Sequence, residues 1–192
     1  MTATDVAPEI DAPAPPAPAR RLPWGRIGGA TLPPLVALLA GWAMLAYRSG
    51  ATGAQLVNPS TWARWDSGQY LRISRIGFFA SYDCTSRQLP PKPPQGVVLL
   101  CGNAGWFPGY PGGVRQLSDL THLSIPVMSL IVAWTCWFLV LVVMWQLLAD
   151  ARSVPTRWLC LLVAAFFPGQ VYFAALFPIS LAVAGLLACL YF

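Results

Sequence analysis

The chain has 192 residues, of which 56% are hydrophobic and only 10% are charged. A soluble domain carries about 25% charged residues, so this composition excludes an ordinary soluble domain and predicts several membrane spans. The net charge of +5 is scattered along the loops. That distribution argues against a nucleic-acid partner and indicates lipid headgroups, anionic lipid substrates or membrane orientation instead.

Residues 1–26 precede the first apolar run. Their Ala/Pro-rich composition is typical of a disordered tail, because such a segment cannot bury enough surface to fold. The basic residues Arg20, Arg21 and Arg26 close this tail, and the apolar run of about 27–47 is long enough to cross a hydrocarbon core of about 30 Å. The positive-inside rule then predicts a cytoplasmic N-terminus.

A long loop, about 49–121, follows on the extracytoplasmic side in this topology. Residues 102–113 alternate glycine, proline and aromatic residues, and we expect them to form a rigid turn rather than a regular helix. Cys84 and Cys101 lie in the same loop and would pair in an oxidising compartment if their backbones approach closely enough. The sequence leaves that pairing open.

Apolar residues dominate the rest of the chain. A second span is predicted at about 123–148, and the short basic connection after it, 149–157, is cytoplasmic by the same rule. Residues 158–192 are apolar throughout, but Pro168 and Pro178 interrupt them.

We therefore predict two apolar helices, about 158–167 and 179–192, joined by a bent segment; a single long helix kinked at proline is the alternative. The predicted fold class is an all-α integral membrane protein with three to four transmembrane helices over residues 27–192. Its long loop carries a juxtamembrane helix. Because the apolar run continues to Phe192 without a polar flank, we expect the N-terminal piece of a larger membrane protein or a truncated open reading frame.

Residues 62–78 hold the candidate site. They place one carboxylate, Asp66, among arginines, tryptophans and a tyrosine, and a helix here would put Asp66, Gln69 and Tyr70 on one face. A carboxylate at the membrane surface can remove a proton from a sugar hydroxyl, and a guanidinium can hold a phosphate group through two hydrogen bonds. The candidate substrate-binding residues are Arg64, Gln69, Tyr70, Arg72 and Arg75, with Asp66 as the catalytic residue.

This combination fits glycosyl transfer from a lipid-linked phosphosugar to a lipid or glycan acceptor. It does not fit a nucleotide donor, because no glycine-rich phosphate loop occurs beside a βαβ pattern. The structural alternative is that Asp66 caps a helix and pairs with Arg64 or Arg72.

Metal ligands are sparse. The only histidine is His122 and no Cys/His cluster occurs, so we predict no protein-made metal site. No cofactor is predicted with certainty. Participation of a divalent cation is left open, with Asp83 or Asp119 as an oxygen ligand.

Three segments resemble the PIG-V-type mannosyltransferases of the GT-C superfamily. Arg64-Trp-Asp-Ser-Gly-Gln-Tyr-Leu-Arg-Ile73, followed by Ile76-Gly-Phe78, resembles their first-loop motif. Trp106-Phe-Pro-Gly-Tyr-Pro111 resembles their Phe-Pro-x-Tyr-Pro segment, and Phe167–Leu181 resembles their later Pro…Tyr-x-Glu-x-Leu segment. The order and spacing of all three agree over roughly residues 27–192.

The resemblance implies a partial GT-C-like fold in the cell membrane, a polyprenyl-phosphate sugar donor and an extracytoplasmic site with Asp66 as the catalytic carboxylate. The family's glutamate in the third segment falls at Ile179, so the role of that acid is not carried over, and family members have more spans. The alternative function is a non-catalytic or truncated membrane subunit that supports a partner glycosyltransferase.

Overall fold

The computed structural model describes residues 27–80, 82–83, 100–103, 106–149 and 152–191. The predicted tail of residues 1–26 lies outside the described residues. Cys84 does too, so the open question of its pairing with Cys101 also falls outside them. The helices are α1 (Ile27–Ser49), α2 (Pro59–Trp62), α3 (Ser67–Ile76), α4 (Gly109–Thr121), α5 (Ile125–Leu147), α6 (Val154–Phe166), α7 (Val171–Ala174) and α8 (Ile179–Tyr191). Two 3-10 turns, Gly53–Val57 and Pro168–Gln170, and one short antiparallel pair, β1 (Tyr82–Asp83) with β2 (Leu100–Cys101), complete the described elements.

Two helices are long and apolar enough to cross a membrane. They are the Ala30–Ser49 part of α1 and the whole of α5, and they lie at the positions of the first two predicted spans. α6 and the segment Pro168–Ala174 form a third candidate only if the pair, bent by 60°, counts as one span. α8 has 13 residues and so is about 20 Å long, too short to cross the hydrocarbon core unaided. The described residues therefore contain two or three candidate spans, fewer than the upper prediction of four.

The predicted break after α6 is confirmed, and the alternative of one long kinked helix is wrong. Phe167 leaves the helical region with ψ 137° before Pro168, because a proline disfavours the helical conformation in the residue that precedes it. Ala175 is extended at ψ 162°, and α8 starts only after Pro178. The apolar run is thus divided by a bent segment of residues 167–178.

Two local predictions in the long loop are corrected. Residues 62–78 do not form one helix, because residues 63–66 make a turn between α2 and α3. The stretch predicted to be a rigid turn instead contains the start of α4 at Gly109. Pro111 is tolerated there because the first amide groups of a helix have no intrahelical acceptor, so proline removes no hydrogen bond.

α5 lies at the centre of the described fold and contacts the other seven α-helices. The larger apolar core joins it to α1, α2 and α6, with the buried residues Ala37, Trp62, Leu130, Trp137, Leu141, Trp145, Leu161, Ala165, Ala174 and Leu176. Gly41 allows the closest approach in this core, since a Cβ there would lie 2.6 Å from the carbonyl oxygen of Ala165. A smaller core, next to the candidate site, packs α3 and α4 against α5.

Candidate functional site

Trp62 fixes the chain just before the candidate site. Its ring is 4% exposed and packs against Trp42 of α1 and Trp134 of α5, with ring centroids 6.4 and 5.6 Å away. Its indole Nε1 donates a hydrogen bond to the carbonyl of Leu56 at 2.9 Å. The short helix α2 is thereby attached to both candidate spans, and the turn that follows it has a fixed starting point.

The turn of residues 63–66 is closed by Ser67. The amide of Arg64 donates to Ser67 Oγ at 3.1 Å, and the amide of Ser67 donates to the carbonyl of Arg64 at 2.9 Å. Trp65 adopts a left-handed backbone with φ 45°, a conformation that costs a non-glycine residue roughly 1–2 kcal/mol. Its ring, although 60% exposed, stacks on Tyr172 at 4.6 Å between centroids, which offsets that strain.

Asp66 occupies the N-cap position of α3. Its carbonyl accepts the amides of Gln69 and Tyr70 at 2.9 and 3.2 Å, while its carboxylate makes no capping hydrogen bond and the residue is exposed. The carboxylate does not perform the capping role of the structural alternative. Its charge reaches Tyr70, where burial first and Asp66 second raise the pKa of the phenol.

The remaining predicted site residues differ in how far the fold holds them in place. Arg64 and Arg75 are exposed, and Arg72 is half-buried. Gln69 is tied to the loop of β2, since its Nε2 donates to Asn103 Oδ1 at 3.0 Å. The substrate-binding roles of all five stay predictions.

Asn103, which the sequence did not single out, holds the end of α3. It is 2% exposed, and its Nδ2 donates to the carbonyls of Gly77, Phe78 and Ala80 at 3.0–3.3 Å. Gly77 ends the helix with φ 94° and ψ 156°, a backbone conformation that favours glycine. Asn103 therefore joins the loop strand to both ends of the α3 region, through Gln69 and through these carbonyls.

An aromatic cluster connects the three segments that carry the family resemblance. We define it as Trp65, Tyr70, Trp106, Tyr110, Tyr172 and Phe177. Tyr70 lies at its centre, with ring centroids 5.1 Å from Trp106, 5.7 Å from Tyr110 and 6.0 Å from Phe177. Phe177 also contacts Trp65 and Tyr172, each at 6.1 Å. Burial raises the pKa of Tyr110, whose hydroxyl donates to the carbonyl of Ser129 at 3.4 Å.

A cavity of about 610 Å³ has Arg64, from the Asp66 turn, in its lining. Arg48, from the last turn of α1, and Arg64 both line it, so we call it the arginine cavity. Gln170 lines it from the bent segment. Arg48 and Gln170 were missed by the sequence reasoning. The signal for Gln170 was its amide in the middle of an otherwise apolar run, whereas Arg48 resembled an ordinary residue at a span end.

Within the described ranges, no group of three or more His, Cys, Asp or Glu side chains could hold a metal ion. No family model matches the chain, and no curated protein or solved structure is significantly similar to it.

Proposed function

We propose that the protein is a membrane glycosyltransferase that transfers mannose from a polyprenyl phosphate to a lipid or glycan acceptor. The observation that carries this proposal is the aromatic cluster. Trp65–Tyr172, Tyr70–Trp106 and Tyr70–Phe177 bring three segments, distant in sequence, together beside Asp66. These are the segments whose motifs resemble the PIG-V-type enzymes, so their contact supports a common role.

Asp66 is the general base in this proposal. The acceptor hydroxyl attacks the anomeric carbon of the sugar, and the bond from that carbon to the phosphate oxygen breaks with its electron pair. The polyprenyl phosphate leaves, and the hydroxyl proton passes to the Asp66 carboxylate. The Asp66 carboxylate is exposed and makes no capping hydrogen bond, which supports its role as the base.

Because the polyprenyl donor is a lipid, the proposed reaction takes place at a membrane surface. We place the protein in the cell membrane, with a cytoplasmic N-terminus and the Asp66 turn outside. In a chain whose five native cysteines are replaced, Ser60→Cys and Ser153→Cys provide matched exposed probes of the two sides. An impermeant maleimide should label the first in intact cells and the second only after permeabilisation. The reverse pattern would invert the topology.

Transfer is tested with the full chain in nanodiscs, polyprenyl-phosphate mannose as donor and a membrane lipid extract as acceptor pool. Loss of a general base should lower the rate by about 10²–10⁴-fold in Asp66→Asn. Asp150→Asn, in the connection predicted on the opposite side, is the matched control and should keep the wild-type rate. An Asp66→Asn variant as fast as wild type would remove Asp66 from the reaction.

Ile179 favours a second candidate, a non-catalytic subunit that supports a partner glycosyltransferase. It stands where the family's segment has glutamate, and it lines an apolar groove with Phe107, Phe177 and Leu181. In that case transfer would require a co-purified partner and would be insensitive to Asp66→Asn. The same assay therefore separates the two candidates.

A further inference from the structure

The arginine cavity has the charge of an anion site. Arg48 and Arg64 contribute two permanent positive charges, and none of the described residues that line the cavity is acidic. A guanidinium offers paired N–H donors that match two oxygens of a phosphate group. The volume of the cavity, about 610 Å³, lies within the roughly 300–1,000 Å³ typical of small-molecule sites.

Gln170 gives this cavity a buried polar group without a protein partner. The side chain is 1% exposed, yet within the described part of the chain neither Nε2 nor Oε1 has a hydrogen-bond partner. Buried polar groups are almost always paired, and leaving one unpaired is costly. Because Gln170 also lines the cavity, a ligand there can supply the missing partner of Nε2, which suits a phosphate oxygen.

The helix packing keeps this amide in place. Gly41 of α1 is so close to the bent segment that a Cβ there would lie 2.9 Å from Gln170 Oε1. The glycine thus lets α1 cover the Oε1 side of the amide. The carbonyl oxygen of Ala165 lies close to the same point of α1. The close packing at Gly41 therefore restrains the position of the Gln170 side chain at the edge of the cavity that it lines.

Apart from the hydroxyl residues Ser49 and Thr61, the rest of the lining is apolar. Met44, Leu45, Phe166 and Val171 form walls next to the two guanidinium groups. A free inorganic anion gains nothing from such walls, whereas a phosphate attached to a hydrocarbon chain would bury part of that chain against them. We propose that the arginine cavity binds the phosphate group of a lipid phosphate, through Arg48, Arg64 and Gln170.

Arg64 links this site to the reaction. It precedes Asp66 by two residues in the same closed turn, so one turn carries both a residue of the phosphate site and the candidate base. The identification of this phosphate as that of the sugar donor rests on the proposed function. Phosphate binding itself is measured without turnover, so the two ideas can fail separately.

The test is isothermal titration of the full chain in phosphatidylcholine nanodiscs. The probes are farnesyl phosphate, farnesol and inorganic phosphate. We expect saturable binding of farnesyl phosphate, at least tenfold tighter than of either other probe. Equal affinity for farnesol would overturn phosphate recognition, and equal affinity for inorganic phosphate would overturn the lipid assignment.

Two arginine variants locate the site. Arg48→Gln and Arg64→Gln should each weaken farnesyl phosphate binding by roughly 10- to 100-fold, because each removes a charge-assisted hydrogen bond. Arg152→Gln removes an exposed positive charge that does not line the cavity, and it should leave the affinity unchanged. Equal weakening by all three would show a non-specific charge effect and overturn the site.

Gln170→Met distinguishes ligand binding from a structural role. The change keeps the side-chain length but removes two unpaired polar atoms, so the unfolding temperature of the ligand-free protein should rise. Farnesyl phosphate affinity should fall by roughly 10-fold, because a hydrogen bond to the charged phosphate is lost. A lower unfolding temperature with unchanged affinity would instead overturn the role of Gln170. Asp66→Asn should bind farnesyl phosphate like wild type even though its transfer is lost.

Discussion

Phe177→Ala is the most informative perturbation of the aromatic cluster. The ring is 8% exposed and lies between Tyr70 of α3, Trp65 of the turn and Tyr172 of the bent segment, at 6.0–6.1 Å between centroids. Three edge-to-face contacts at about 0.5–1.5 kcal/mol each add up to roughly 1.5–4.5 kcal/mol. Since buried Phe→Ala changes cost about 3–5 kcal/mol in soluble proteins, we expect a loss of about 3 kcal/mol.

The assay is equilibrium unfolding of the full chain in mixed micelles, followed by circular dichroism. Phe107→Ala is the matched control: its side chain is 77% exposed, and the change should alter the free energy of unfolding by less than about 0.5 kcal/mol. Phe177→Leu keeps most of the apolar volume but loses the three ring contacts, so its cost should fall between those of Phe107→Ala and Phe177→Ala. If Phe177→Ala costs no more than Phe107→Ala, the cluster does not hold the three segments together.

Three other changes follow from the same geometry. Trp65→Gly should be about 1 kcal/mol more stable than Trp65→Ala, because both lose the stack but only glycine relieves the left-handed strain; equal stabilities would exclude that strain. Gly41→Ala should lower the free energy of unfolding by about 1–3 kcal/mol, because its Cβ would clash with the Ala165 carbonyl; an unchanged value would show that α1 can shift freely. Burial raises the pKa of Tyr110 above 10.0, so the folded state favours the neutral phenol and stability should fall as pH rises above about 10. The unfolding temperature of Tyr110→Phe should depend less on pH between 9 and 11, and an unchanged dependence would assign the effect to another group.

The long apolar runs and the prolines of the chain determine much of its fold. Both long spans were predicted because an uninterrupted apolar run has few other stable environments, and Pro168 marks the break after α6 because it acts locally. The start of α4 was missed for the opposite reason. Glycine and proline disfavour a helix interior, but Pro111 lies in a first turn, which tolerates them.

The candidate site, like the fold, could be predicted only in part. Asp66 and Arg64 were found because they are neighbours in sequence, and the three motif segments were found by resemblance. The arginine cavity could not be predicted, because Arg48, Arg64 and Gln170 line one cavity only through the packing of α1 on α6 and on the start of the bent segment. Asn103 was missed as well, since its role depends on three backbone carbonyls more than twenty residues away.

The most direct test of the central claim measures transfer and binding on the same preparation of Asp66→Asn. Donor consumption is followed as release of polyprenyl phosphate with an equal amount of mannosylated product, and farnesyl phosphate affinity is measured in parallel. The account predicts a rate about 10²–10⁴-fold below wild type with an affinity within twofold. Wild-type transfer by Asp66→Asn would contradict it.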